Sequence, residues 1–250
     1  MKEHFDTIMD IGEQMLLCGA EIHRVEDSIE RMGLALGATD IDVFIITSSM
    51  VVTIHTPEGS FTQTRRIKNS GTDIDMLHKL NQLSRDICGN ELTLDDIKLR
   101  FAEITKTKKY PLWAEVISYV FIAGAFALFF GGKINDALVS AILGIVLRFV
   151  VLFIDKFDIN KIFGKLICAF IATVLSFTAM KIGFIQSIDK VMIGNIMLLV
   201  PGVGLTNALR DLFVGDSVSG LLRLIEAVLA ALAIAAGYFL FIFLSGGASL

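Results

Sequence analysis

Pro201, Gly202, Gly204, Asn207, Arg210 and Asp211 fall within eleven residues of the stretch "LVPGVGLTNALRDLFVGDSVSG", between two apolar runs, and Arg223 and Glu226 follow at i,i+3. Pro201 has no N–H to continue a helical ladder, and Gly202 and Gly204 give no side-chain cover. The spacing therefore predicts a helix that opens here, leaving carbonyls in need of partners. A broken helix followed by Asn207, Arg210 and Asp211 offers helix-end dipoles, free carbonyls and a guanidinium, which together suit a small anion. The plainer alternative is a loop with a re-entrant kink. Arg223 and Glu226 share one helix face and pair with each other or with Arg210 and Asp211, as a structural pair or as part of a polar gate. Asp211 or Glu226 is the candidate to carry a proton, because a carboxylate in a dry site has its pKa raised.

A second charged stretch, "GAEIHRVEDSIERM", packs Glu21, His23, Arg24, Glu26, Asp27, Glu30 and Arg31 into eleven residues. On a helix Glu26 and Glu30 share a face, and Asp27 and Arg31 form an i,i+4 pair in the stabilising orientation. One reading is a solvated helix face. The other gives Glu21, His23 and Glu26 acid and base roles in a membrane-anchored hydrolase. Against an enzyme stands the absence of a nucleophile elbow, a metalloprotease His pair or a glycine-rich loop after a strand. No catalytic residue, metal ligand or cofactor is expected. The four histidines, His4, His23, His55 and His78, have no metal spacing, and Cys18, Cys88 and Cys168 form neither a disulfide framework nor a CxxC pair.

These residues must be positioned by elements in two different solvents. The chain of 250 residues is 54% apolar, yet residues 1–109 hold 13 of the 22 lysines and arginines and 18 of the 26 acids. The net charge is about five negative in the first region and one positive in the second, so no basic patch awaits a nucleic acid. Residues 1–109 read as a small cytoplasmic α+β domain, with no signal peptide in the polar opening "MKEHFDTIMD". Helical periodicity runs through residues 5–32 with an interruption near Cys18-Gly19, and two or three short strands follow with a Pro-Glu-Gly-Ser turn. Two further helices are expected, one capped by Thr72 or Asp73 and stopped at Gly-Asn, the other capped by Thr93 with acids in its first turn and lysines in its last.

Residues 110–250 read as five transmembrane helices: Trp113–Gly131, Ile134–Ile154, Ile162–Met180, Val191–Val200 with its flanks, and Leu221–Leu244. The fourth is short unless it continues past Pro201. Within the second, Arg148 is close enough to one end to snorkel. Lys106, Lys108, Lys109, Lys156, Lys161, Lys165 and Arg210 lie on one side and Lys133, Lys181 and Lys190 on the other. That imbalance places the first domain in the cytoplasm and the carboxyl end, "GGASL", outside.

With Pro201-Gly202, Asn207, Arg210-Asp211, Gly215-Asp216, Gly220, Arg223 and Glu226-Ala227 in order, and "GAEIHRVEDSIERM" upstream, the whole chain resembles the threonine/serine exporter family, ThrE. The resemblance implies a multi-pass inner-membrane protein, embedded in membrane lipid, that exports a small carboxylate-bearing metabolite by a secondary mechanism. Such a solute would be threonine, serine or a dicarboxylate such as succinate. Long members carry a second five-span block, so the chain is more similar to the split form, in which a larger subunit works with a small five-span membrane partner. A homo-oligomer is also compatible. The rival to transport, besides the hydrolase, is a membrane-tethered sensor or scaffold, which would need neither a broken helix nor charge in the spans.

Overall fold

The computed structural model describes residues 2–68, 71–89, 92–106 and 110–245. By Cα packing the chain divides into two compact units, Met1–Lys108 with Leu205–Leu224, and Lys109–Gly204 with Ile225–Leu250.

In the first unit, helix α1 (Lys2–Leu17) and helix α2 (Ile22–Ala35) are parted at Gly19, whose φ of 86° lies in the left-handed region. Three strands follow, β1 (Asp40–Ile46), β2 (Ser49–Thr56) and β3 (Gly59–Arg66), joined by short turns into an antiparallel meander of order β1-β2-β3. Val43 faces Val52 and Thr53 faces Thr62 in register. Alternation puts Ile41, Ile45, Met50, Val52 and Ile54 on one face, where they are buried with Ile8, Met9, Ile11, Met15, Ile22, Ile29 and Met32 of α1 and α2. Leu80 and Ile97, from α3 (Ile74–Gly89) and α4 (Leu94–Thr105), complete this core.

Of the two caps proposed for α3, Asp73 is the one used: its Oδ1 accepts the Met76 N–H at 2.9 Å. Helix α3 ends at Gly89, and Asn90 lies outside the described residues. Thr93 caps α4 in a capping box with Asp96. The lysines expected in the last turn of α4 are not there. The helix closes at Thr105, whose hydroxyl bonds the Phe101 and Ala102 carbonyls, leaving Lys106 as the cap residue and Lys108 and Lys109 outside the described residues.

The second unit holds α5 (Leu112–Phe129), α6 (Ile134–Lys156), α7 (Lys161–Lys181) and the nine-residue α8 (Ile188–Ile196). Helix α9 (Gly202–Val214) and helix α10 (Ser217–Leu244) each have residues in both units. Four helices, α5, α6, α7 and α10, are long and apolar enough to cross a membrane. The residues read as a fourth span instead form α8 and a set of tight turns before α9. Leu198 N–H bonds Asn195 O, Leu199 and Val200 N–H both bond Ile196 O, and Gly202 N–H bonds Val200 O. Pro201 cannot donate, so the regular ladder stops and the chain passes through tight turns closed over two, three and four residues.

Small residues let these helices approach closely. Ala123 and Ala127 of α5 are buried against α6 and α8, and a Cβ on Gly194 of α8 would stand 2.5 Å from Ser140 Oγ and 2.6 Å from Ala123 O. Arg148 does not snorkel. Its Nε donates to Glu115 Oε2 at 2.9 Å, Nη2 donates to the same oxygen, and the guanidinium lies 5.7 Å from the Tyr119 ring centroid. Pairing across α5 and α6 satisfies the charge locally, which the single residue in its apolar run did not reveal.

Asp136 ties the start of α6 to the start of α8. It is fully buried and accepts the N–H groups of Lys133 at 2.9 Å, Gln186 at 3.0 Å and Ser187 at 3.4 Å. Three backbone donors at two helix starts are thus met by one carboxylate.

Candidate functional site

The turn between α1 and α2 is held from both sides. Gly19 N–H bonds Leu16 O and Ala20 N–H bonds Met15 O, while the carbonyls of Leu17 and Cys18 accept Gly71 and Asp73 N–H at 2.8 and 3.0 Å. A Cβ at Gly19 would meet the Gly71 carbonyl at 2.6 Å, so glycine is required by space as well as by φ. What the turn presents is the Ala20 carbonyl and the Glu21 carboxylate.

Two arginines from the far end of the same unit take both. Arg210 Nη1 donates to Glu21 Oε1 at 2.7 Å, and Arg223 Nη2 donates to Ala20 O at 3.1 Å. Arg223 Nη1 also lies 3.2 Å from Asp211 Oδ2, as an ion pair. The sequence brings these side chains together through a tight connection: Gly215 and Asp216 N–H both bond Asp211 O to close α9, and Gly220 N–H bonds Asp216 O to open α10. The Asp211 side chain is only 3% exposed, whereas that of Arg210 is 57% exposed and uses one of its donors. Burial pushes the Asp211 carboxyl above its ordinary range, and the Arg223 guanidinium opposes that.

Of the other residues singled out, Asn207 is half-buried on α9, while Pro201, Gly202 and Gly204 belong to the second unit at the helix break. Glu226 is exposed on α10 and belongs to the second unit, and the Arg223 guanidinium goes to Asp211 and Ala20 instead. The charged α2 stretch divides its labour. Asp27 pairs with Arg31 at 2.9 Å on a solvated face, His23 and Arg24 are exposed, and Glu26 Oε1 accepts the Ile45 N–H of β1 at 3.1 Å. Among the described residues no group of three or more His, Cys, Asp or Glu is arranged to hold a metal.

Glu26 supplies a pH test. Burial raises its carboxyl pKa, the Ile45 N–H opposes the rise, Asp216 adds to it and His23 subtracts. The folded chain therefore holds this proton more tightly than the unfolded chain, and stability falls as pH rises through the range just above ordinary carboxylate values. Glu26→Gln keeps an acceptor for Ile45 and removes the charge, so its melting temperature should vary less than the wild type's between about pH 4.5 and 7. Asp211 contributes in the same direction, so the slope is flattened in part. Identical slopes for both proteins would show that Glu26 does not titrate there.

Several polar residues that count were not singled out from the sequence. Asn195 and Ser140 meet inside the second unit, where Asn195 Nδ2 donates to Ser140 Oγ at 3.0 Å and to Val191 O at 2.9 Å, and Ser140 Oγ donates to Ala123 O at 2.9 Å. The signal was a carboxamide in a short apolar run next to a proline break. Asp136 could have been found as an acid three residues after Lys133, in capping-box position.

Comparison with known proteins matches residues 6–245 to the family model described as "ThrE: Putative threonine/serine exporter". The chain is 29% identical over 227 residues to the "Probable succinate transporter subunit YjjP" of Klebsiella aerogenes, covering 89% of this chain and 86% of that one. Its counterpart in Escherichia coli, with the same description, is 23% identical, covering 90% of this chain and 88% of that one. A "Probable threonine/serine exporter" of Mycobacterium tuberculosis is 23% identical over 93% of this chain but only 44% of its own length. No solved structure matches.

Proposed function

Because the chain belongs to the threonine/serine exporter family, we propose that it is the larger subunit of a secondary exporter of small carboxylate-bearing metabolites. The solute is threonine, serine or a dicarboxylate such as succinate, and a small five-span membrane protein supplies the other half. The observation that carries the reading is the helix break between Ile196 and Gly202, with backbone turned out of its ladder beside a bundle of apolar helices. Irregular backbone at membrane depth persists where it is enclosed by protein or lines a water-filled path, the arrangement found at transporter sites.

Parity supports the reading of five crossings. Residues 205–224 pack into one unit with residues 1–108, and on this reading both stretches lie on one side of the membrane. The chain between them must cross an even number of times, and α5, α6 and α7 supply three long helices. On this reading the broken segment of α8, with the turns and start of α9, makes the fourth crossing, and α10 the fifth. The charge imbalance of the loops supports an orientation with the first unit in the cytoplasm and the carboxyl end outside.

Arg210 is the residue proposed to meet the solute carboxylate. It is exposed, forked and already holding a carboxylate, that of Glu21, which a solute would displace. The test is efflux from preloaded cells. Cells that make the chain together with the companion from a neighbouring reading frame should export labelled serine or succinate, and cells lacking either protein should not. Equal efflux with and without both proteins would end the transport reading.

A further inference from the structure

The Asn195 side chain is fully buried, and its Oδ1 has no hydrogen-bond partner among the described residues. The amide cannot be turned around to remove the difficulty. Val191 O only accepts, so the amide nitrogen must face it, and the second N–H goes to Ser140 Oγ, whose own hydrogen is committed to Ala123 O. The oxygen is left without a donor among the described residues.

The groups known to meet the amide share this bias: Val191 and Ala123 offer carbonyls, and the one hydrogen of Ser140 is spent on Ala123 O. Asn195 also sits in the last turn of α8, where the helix dipole is negative and the chain breaks within a few residues. A buried acceptor without a donor is costly, and a helix carboxyl end favours positive charge. Such a place accepts N–H or O–H groups and repels carboxylates.

We propose that the Asn195 carboxamide oxygen receives the ammonium or hydroxyl group of the transported solute, making Asn195 a specificity-determining residue within the helix break. This rests on the transport reading above and divides the two solute classes within it. Serine brings an ammonium and a hydroxyl, whereas succinate at neutral pH brings two carboxylates and no donor. On this proposal a solute reaches the site only if α8 moves against the tight contacts of Gly194 with Ser140 and Ala123.

The test is efflux of labelled serine and labelled succinate from cells making the full chain and its companion. Asn195→Leu keeps the branched shape of the side chain and removes the acceptor; it should raise the KM for serine about tenfold or more and leave that for succinate unchanged. Asn195→Asp places an acid at the same point and should move the serine-to-succinate preference the other way by about tenfold. If Asn195→Leu fails to insert, the Asn195→Asp ratio decides alone. Equal losses for both solutes, or an unchanged ratio in Asn195→Asp, would mean that Asn195 only holds helices together or hydrates, and would overturn the proposal. Wild-type export of succinate without serine would also overturn it while leaving the transport reading standing. Export of neither would end both.

Discussion

Export by the Arg210→Ala protein is expected to fall to background while the protein still inserts and melts as the wild type does. The separation of the two effects follows from exposure. Arg210 is 57% exposed and hydrogen-bonds only Glu21 among the described residues, a pair that solvent screens to within about 1 kcal/mol of stability. Loss of the fork should therefore cost transport and little else. Arg210→Lys keeps the charge but not the bidentate geometry, so partial export with a raised KM is expected. Efflux rates normalised to membrane-inserted protein provide the measurement, and full export by Arg210→Ala would remove this side chain from the solute path.

Stability, by contrast, should collapse at Asp136. Its carboxylate accepts three backbone N–H groups from two helix starts, and the side chain is wholly enclosed. Alanine there leaves three donors without partners in a region where water is scarce. At about 1 kcal/mol or more for each, the expected loss is about 3 kcal/mol or more. For a chain of this length that is a fall in Tm of roughly 6 to 12 °C. Asp136→Asn keeps one acceptor oxygen and should lose less. Thermal melts of the detergent-solubilised variants decide the matter, and a Tm within about 1 °C of wild type for Asp136→Ala would show that water or other groups replace the carboxylate.

What could be read from sequence was local. The break at Gly19, the alternation along residues 40–66 and the Thr93 capping box are each written within a few neighbouring residues, so period and cap chemistry suffice to find them. The membrane helices announce themselves through length and apolar composition. Pro201 marked the break, because a missing N–H is a property of one residue. The partners of the charged residues were a different matter. Arg210 reaches Glu21 across 189 positions and Arg223 reaches the Ala20 carbonyl across 203, and a backbone carbonyl carries no side-chain signature at all. Spacing offered Arg223 either Glu226 or Asp211, and it is the close return of the chain at Gly215 that selects the Asp211 carboxylate. The Asn195 and Ser140 contact depends on how α8 lies against α6, which no periodicity encodes.

The discontinuous first unit has a consequence for biogenesis. Its last piece, residues 205–224, leaves the ribosome only after roughly a hundred further residues, most of them destined for lipid, have been made. Until then the α1–α2 turn waits without its two guanidinium clasps, and the nascent soluble part is an unfinished object. Closure of the polar part thereby waits on synthesis of the apolar helices α5 to α7 and of α8. A chain that never delivers residues 205–224 would carry a permanently open polar unit, a mark that quality-control proteases could read.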